Sequence, residues 1–377
     1  MKAAPDNRLF HALDVARGIA AVVVTLYHLQ EVIGVKLAPS GFLAVDFFFG
    51  LSGFVVAHSY TSRLLSGKMS MRQFMVARLV RLYPLYLLAL VALVIVLCVK
   101  LALRQSVPWG PIAFTGKLPF ALFMLPSPSL DFHGYLYPFN IAAWSILFEL
   151  AINFVFALFC RPLQSTKVRF LIILISGGLY AAQLLLFRVD QGGPQWSTFL
   201  AGIVRVTFSF FVGLQLYDWY RQRNAGPIRP PVHSVWCAGG LLVLTACLLS
   251  PNSPGVQLLS VFILFPLLIW TLAHCDVGAG IGGAAMRKVG VASYGIYMLS
   301  SPFGFAFENL IFGHSASGWL LALQVVVSTV SLILVSVVAD TWFDKPVRAL
   351  LQKHVALRRF SKGSVGIGSS SNRLGSS

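Results

Sequence analysis

A chain of 377 residues that is 57% hydrophobic and 11% charged, with a mean hydropathy of +0.78, is too apolar for a soluble domain. Its formal charge of +17 is dispersed in short clusters between apolar runs, which excludes a nucleic-acid binder and points to membrane topology. At about 20 apolar residues per helical span, the length allows at most about a dozen spans and leaves little for a soluble domain.

Ten apolar segments follow one another, at about 13–35, 42–62, 82–103, 139–160, 170–187, 198–219, 234–249, 256–273, 289–311 and 318–339. The expected fold is an all-α polytopic transmembrane helix bundle of about ten spans. The basic N-terminus has no small-residue cleavage site after its apolar run, so the first segment is read as an uncleaved span. Most basic residues fall in alternate connections, among them Arg63, Lys68 and Arg72, then Arg161, Lys167 and Arg169, and the cluster from Lys345 onward. The positive-inside rule then puts both termini in the cytoplasm. The five cysteines lie in or beside apolar runs without metal-ligand spacing, and neither a metal site nor a disulfide framework is expected.

The first span, LDVARGIAAVVVTLYHLQEVIGV from Leu13, carries Asp14 and Arg17 at its start and His28 inside it. Eleven residues advance a helix by three turns plus about 20°, so Arg17 and His28 share a face roughly 16 Å apart. Ionisable groups inside spans are costly and usually face a bundle interior or a wet cavity. The second span places Asp46 near its outer end, followed by Ser52. A short outer turn would bring Asp46 toward His28, where a carboxylate could fix the imidazole tautomer; the alternative is a helix cap. Arg78 and Arg81, three apart before the third span, share a helical face and suit phosphate.

One longer outer connection, Arg104 to about Pro138, contains LPFALFMLP, which is too short to span and is expected to dip into the membrane or lie on it. The fourth span holds Glu149 near the membrane centre, with Ser145 one turn before it, and the sixth holds Arg205. Arg205 is a structural partner for Glu149 or Asp46, or a substrate-binding residue. The membrane domain is expected to occupy 1–350. A basic stretch and then a Ser- and Gly-rich disordered tail follow over 351–377.

The outer half of the membrane thus offers an imidazole and two carboxylates, and the inner mouth three arginines. A coenzyme A thioester has the matching shape, a phosphorylated nucleotide at one end of a long thin arm and an acyl group at the other. A polytopic transporter using His28, Asp46, Glu149 and Arg205 as a proton or substrate relay is the alternative; no internal repeat supports it. The number of buried charges argues against a non-catalytic scaffold.

Arg17 and His28 with ten residues between them, the GxxxVDxFFxxSGF pattern from Gly41 to Phe54, Arg78 and Arg81 followed by Tyr83 and Pro84, and the set Trp144, Ser145 and Glu149 together resemble the acyltransferase 3 family of integral membrane acyltransferases. Weaker matches lie around Arg205, at VASYGIYML around Tyr294, and at FDKP with Asp344. The resemblance covers about residues 8 to 350. It implies transfer of an acyl group, usually acetyl, from cytoplasmic acyl-CoA to a hydroxyl of a sugar or an exported or surface glycan in the bacterial inner membrane, with acyl-CoA as co-substrate and no permanently bound cofactor. It also implies His28 as base, with Asp46 or Glu149 as helper. Arg17, Arg78, Arg81 and Ser52 fall on the donor side, Trp144, Ser145, Arg205 and Tyr294 on the acceptor side, and Asp14 supports Arg17. Two positions depart from the family pattern: Ser300 replaces a common histidine, and Asp344 a common glutamate.

Overall fold

The computed structural model describes residues 10–105, 107, 111–128, 134–224, 234–275, 281–310 and 318–364. Thirteen α-helices occur among them, and no β-strand beyond an isolated bridge between Tyr135 and Gln195. In chain order they are α1 (His11–Ile33), α2 (Ala44–Leu65), α3 (Met71–Ala102), α4 (Pro111–Leu122), α5 (Ala143–Leu158), α6 (Thr166–Leu185), α7 (Phe199–Arg223), α8 (Ser234–Leu249), α9 (Pro254–Leu259), α10 (Phe265–Ala273), α11 (Ile281–Leu310), α12 (Trp319–Val338) and α13 (Lys345–Ser364).

Each of the ten apolar segments coincides with a helix, α9 and α10 forming one rod through a π turn. Seven helical stretches are long and apolar enough to cross a bilayer, from His11–Gln30 to Trp319–His354, while Ala143–Leu158 and Val235–Leu249 are shorter apolar helices. Large apolar side chains point outward, Leu174 at 74% exposure and Leu200 at 75%, while Asp46, Asn153 and Arg205 are buried inside. That inversion of the soluble pattern suits a lipid surround, and the chain is an integral membrane protein.

Local rules set the helix ends. Ser70 and Gln73 form a reciprocal capping box at the start of α3, the Ser70 hydroxyl accepting from the Gln73 amide and the Gln73 side chain from the Ser70 amide. At the end of α1, Gly34 takes the left-handed conformation (φ 71°) and its amide donates to the Gln30 carbonyl at 3.0 Å. Helix crossings depend on missing side chains. A Cβ on Gly53 would overlap the Phe210 carbonyl, one on Gly213 the Gly50 carbonyl, and one on Gly290 the Asp14 carbonyl. The first two let α2 and α7 touch backbone to backbone; the third does the same for α1 and α11.

The long connection after α3 folds back along it. Leu118 and Phe114 of α4 pack on a cluster of Leu90, Leu93 and Leu97. The Tyr83 and Tyr86 hydroxyls donate to the carbonyls of Leu122 and Ala121 at 2.7 and 2.6 Å. The end of α4 therefore sits near the midpoint of α3, well inside the thickness that α3 spans.

One expectation changes, and a helix runs across an expected boundary. A disulfide joins Cys237 at the start of α8 to Cys275 just after α10, with Cα atoms 5.9 Å apart. Spacing in the sequence could not show it, because α8 and α10 must first lie antiparallel before the two thiols meet. The expected domain boundary at residue 350 falls inside α13, which continues α12 through a π turn at Ala339–Asp344; the Ser- and Gly-rich stretch from 365 lies outside the described residues.

Candidate active site

A cavity of about 540 Å³ opens between α1, α2, α3, α5, α11 and α13. Its polar wall includes Asp14, Arg17, Ser52, Arg78, Arg81, Ser145, Glu149, Tyr294 and Arg348; Val45, Phe48, Phe49, Ile146 and Tyr297 line it as well. All four residues expected on the donor side, Arg17, Ser52, Arg78 and Arg81, share this one cavity.

Each arginine is held differently. Arg17 donates from Nε to the Ser293 hydroxyl at 2.8 Å and from Nη2 to the Gly290 carbonyl at 3.1 Å, and pairs with Asp14 at 2.9 Å. Arg78 pairs through Nη2 with Glu149, whose Oε1 also accepts from the Ser52 hydroxyl at 2.9 Å. Exposed Arg81 makes no ion pair among the described residues. Arg348 pairs with Asp344 at 2.5 Å and with Asp340 at 3.5 Å. Arg17 lies within electrostatic range of Arg81, Glu149 and Asp340. Four guanidiniums line the cavity against the carboxylates of Asp14 and Glu149, with Asp340 and Asp344 behind Arg348, so the lining surface itself is mainly cationic. A site of that sign, walled on its other side by apolar and aromatic groups, suits a ligand with an anionic head and a less polar arm.

The two carboxylates expected beside His28 are elsewhere. Asp46 forms a two-point pair with Arg205, Oδ1 to Nε at 3.1 Å and Oδ2 to Nη2 at 2.5 Å. Arg205 also donates to the Gly192 carbonyl at 2.6 Å, and its guanidinium lies 5.5 Å from the centre of the Trp144 ring. Glu149 is taken by Arg78 and Ser52. Neither carboxylate hydrogen-bonds or ion-pairs with His28, and the reason is charge: in a low-dielectric interior each goes to a guanidinium, which compensates it better than a neutral ring. Arg205 thus has Asp46 and not Glu149 as its partner.

His28 is half-buried on α1 and is not in the cavity wall. Its ring lies 5.4 Å from that of Tyr27, and it makes no hydrogen bond or ion pair among the described residues. Gly41 packs against Tyr27 and Val23, and Val45 stands four residues further along. The cavity therefore ends about one helical turn, ~6 Å, short of the level of His28. On the other wall the Ser145 hydroxyl is 3.1 Å from that of Tyr297, and Tyr294 donates to the Leu82 carbonyl at 2.7 Å. Trp144, Asp46 and Arg205 stand behind this wall rather than in it. Ser300 is buried and donates to the Tyr297 carbonyl at 2.7 Å.

Sequence reasoning passed over Arg348, Ser293 and Tyr297, and over His58, which also lines the cavity. An Asp344 to Arg348 spacing of four and a Tyr294 to Tyr297 spacing of three were available signals. Nothing in spacing points to Ser293 or His58.

The profile of the acyltransferase 3 family, described as an acyltransferase domain, matches residues 10–341. The chain belongs to that family. It is a membrane O-acyltransferase. A protein described as protein 2 in the picA locus of Rhizobium radiobacter is 38% identical over 165 residues, covering 42% of this chain and 85% of that protein. No solved structure matches the chain. The match from Phe10 onward takes in α1 to α12, so the cavity is built almost wholly from the shared domain; Arg348 lies just beyond it.

Proposed function

We propose that this acyltransferase takes an acyl group, in the first instance acetyl, from cytoplasmic acyl-CoA and places it on a hydroxyl of a sugar or exported glycan. The observation that carries the reading is the gathering of Arg17, Arg78, Arg81 and Arg348 in the wall of one cavity. Guanidiniums bind phosphates through paired N–H donors, and a coenzyme A head carries several phosphates on a long arm. On the positive-inside rule these arginines face the cytoplasm, where acyl-CoA is made, and in a bacterium the membrane is the inner one.

In this reading the arm lies along the cavity and the thioester passes its Val45 and Phe48 end to meet His28. The imidazole removes the proton from the acceptor hydroxyl as the oxygen attacks the thioester carbonyl. The tetrahedral intermediate collapses with loss of the coenzyme A thiolate, which takes the proton from the imidazolium. An imidazole with no hydrogen-bond or ion-pair partner among the described residues is suited to that proton traffic, since both ring nitrogens can turn to the substrates. Glu149 and Ser52 hold Arg78 in the donor wall, Asp14 and Ser293 hold Arg17, and Asp46 with Arg205 supports the helices behind. Ser145 and Tyr294 line the donor cavity with Glu149, and Trp144 stands behind that wall against Arg205.

Two measurements test the reading. Purified protein in detergent, given labelled acetyl-CoA and a mixture of sugars and lipid-linked glycans, should release free coenzyme A in proportion to acyl product. Mass spectrometry of host surface polysaccharides with and without the gene should show a shift of one acyl group. Absence of thioester consumption and of any mass shift would remove the proposal.

A further inference from the structure

Arg348 is the last residue of the cavity wall, and it is held in a way that ordinary bundle packing does not explain. The continuous helix of α12 and α13 passes through the π turn at Ala339–Asp344, which buries Asp340 and Asp344 to 4% and 2% exposure. Arg348 pairs with both, and Lys345 pairs with Asp340 from the outside at 2.6 Å. These two acidic partners belong to the same helical rod as Arg348, four and eight residues back, so the ion pairs tie no other helix into the bundle. Burying two carboxylates is costly, and the close ion pairs that compensate them all lie within this one rod. What it does achieve is a guanidinium fixed at the cavity wall. Its hydrogen bond to Asp340 uses Nη2, and among the described residues none engages Nη1. π turns occur frequently where a helix has been reshaped for a ligand. Arg81, which makes no ion pair among the described residues, lines the same cavity as Arg348 and lies within electrostatic range of its partner Asp344.

We infer that Arg348, oriented by Asp340 and Asp344, is a binding residue for a phosphate of the acyl donor's nucleotide head. The inference rests on the acyl-CoA reading above and adds a binding residue that lies outside the matched family domain. Asp340 and Asp344 are positioning residues: they act only through the guanidinium.

The test uses the full chain in detergent or nanodiscs with three donors, acetyl-CoA, acetyl-dephospho-CoA and S-acetylpantetheine. Arg348→Ala should raise KM for acetyl-CoA by about tenfold or more, as loss of a charge-assisted phosphate contact implies, with a much smaller change in kcat. The rise should vanish for S-acetylpantetheine, which has no nucleotide head. If it already vanishes for acetyl-dephospho-CoA, the contact is to the 3′-phosphate; if it persists there, it is to the diphosphate. Arg348→Lys should fall between wild type and alanine, because an ammonium keeps the charge and loses the fork. Asp344→Asn should follow Arg348→Ala in direction with a smaller rise. An unchanged KM for acetyl-CoA, or an equal loss with all three donors, would overturn the assignment while leaving the acyl-CoA reading standing. A wild-type protein that consumes none of the thioesters would overturn both.

Discussion

Asp46 and Arg205, 159 positions apart, meet in a two-point ion pair with both side chains at most 2% exposed. The pair joins the start of α2 to α7, the same two helices whose backbones touch at Gly53 and Gly213. Removing one member leaves the other buried and uncompensated, at a cost of about 3–5 kcal/mol. Asp46→Asn and Arg205→Ala should therefore lower the yield of monodisperse protein and its thermal midpoint, while Asp46→Asn combined with Arg205→Gln should be milder than the sum of the two losses. Asp46→Asn protein with wild-type thermal stability would show that the pair is dispensable.

The glycine crossings give a second prediction. Gly213→Ala and Gly290→Ala each force a methyl into a backbone carbonyl of the facing helix, and overpacking of that kind costs about 1–3 kcal/mol. Gly290→Ala should also raise KM for the donor, because the Gly290 carbonyl and the adjacent stretch of α11 hold Arg17. At Gly178 a Cβ meets nothing within 4 Å, so Gly178→Ala should be neutral or slightly stabilising. Equal thermal midpoints for all three variants would contradict the crossing geometry.

The cysteines offer a chemical count. Cys98, Cys160 and Cys247 are free and Cys237 is bonded to Cys275. Alkylation of protein denatured without reductant should label three thiols, rising to five after reduction, and peptide mapping should place the new labels at positions 237 and 275. Five labels without reductant would remove the bond from the native protein.

How far the sequence carried can be judged from particular residues. The apolar segments were legible because a window of about twenty residues is itself the physical requirement for crossing a bilayer, and the helices found follow them closely. That Arg78 and Arg81 line one cavity was legible because guanidiniums three apart on a helix share a face. Pairing was not. A buried carboxylate announces that it needs compensation without saying which of several distant cations supplies it, and Asp46 went to Arg205 while Glu149 went to Arg78, 71 positions away. Arg348 was hidden for another reason: counted among the basic residues after the last span, it read as a topological anchor until the π turn turned it against two buried carboxylates. The Cys237 bond likewise depends on which helix ends become neighbours.

We propose that His28 moves the proton in acyl transfer from a donor held by the arginines of the cavity. Since His28 makes no hydrogen bond or ion pair among the described residues, His28→Ala should keep the thermal midpoint and the donor KM of the wild type. The decisive measurement is the rate of coenzyme A release by purified wild-type and His28→Ala protein at saturating acetyl-CoA and acceptor. The account predicts a fall of about 10²- to 10⁴-fold in the variant. A His28→Ala rate close to wild type would contradict it.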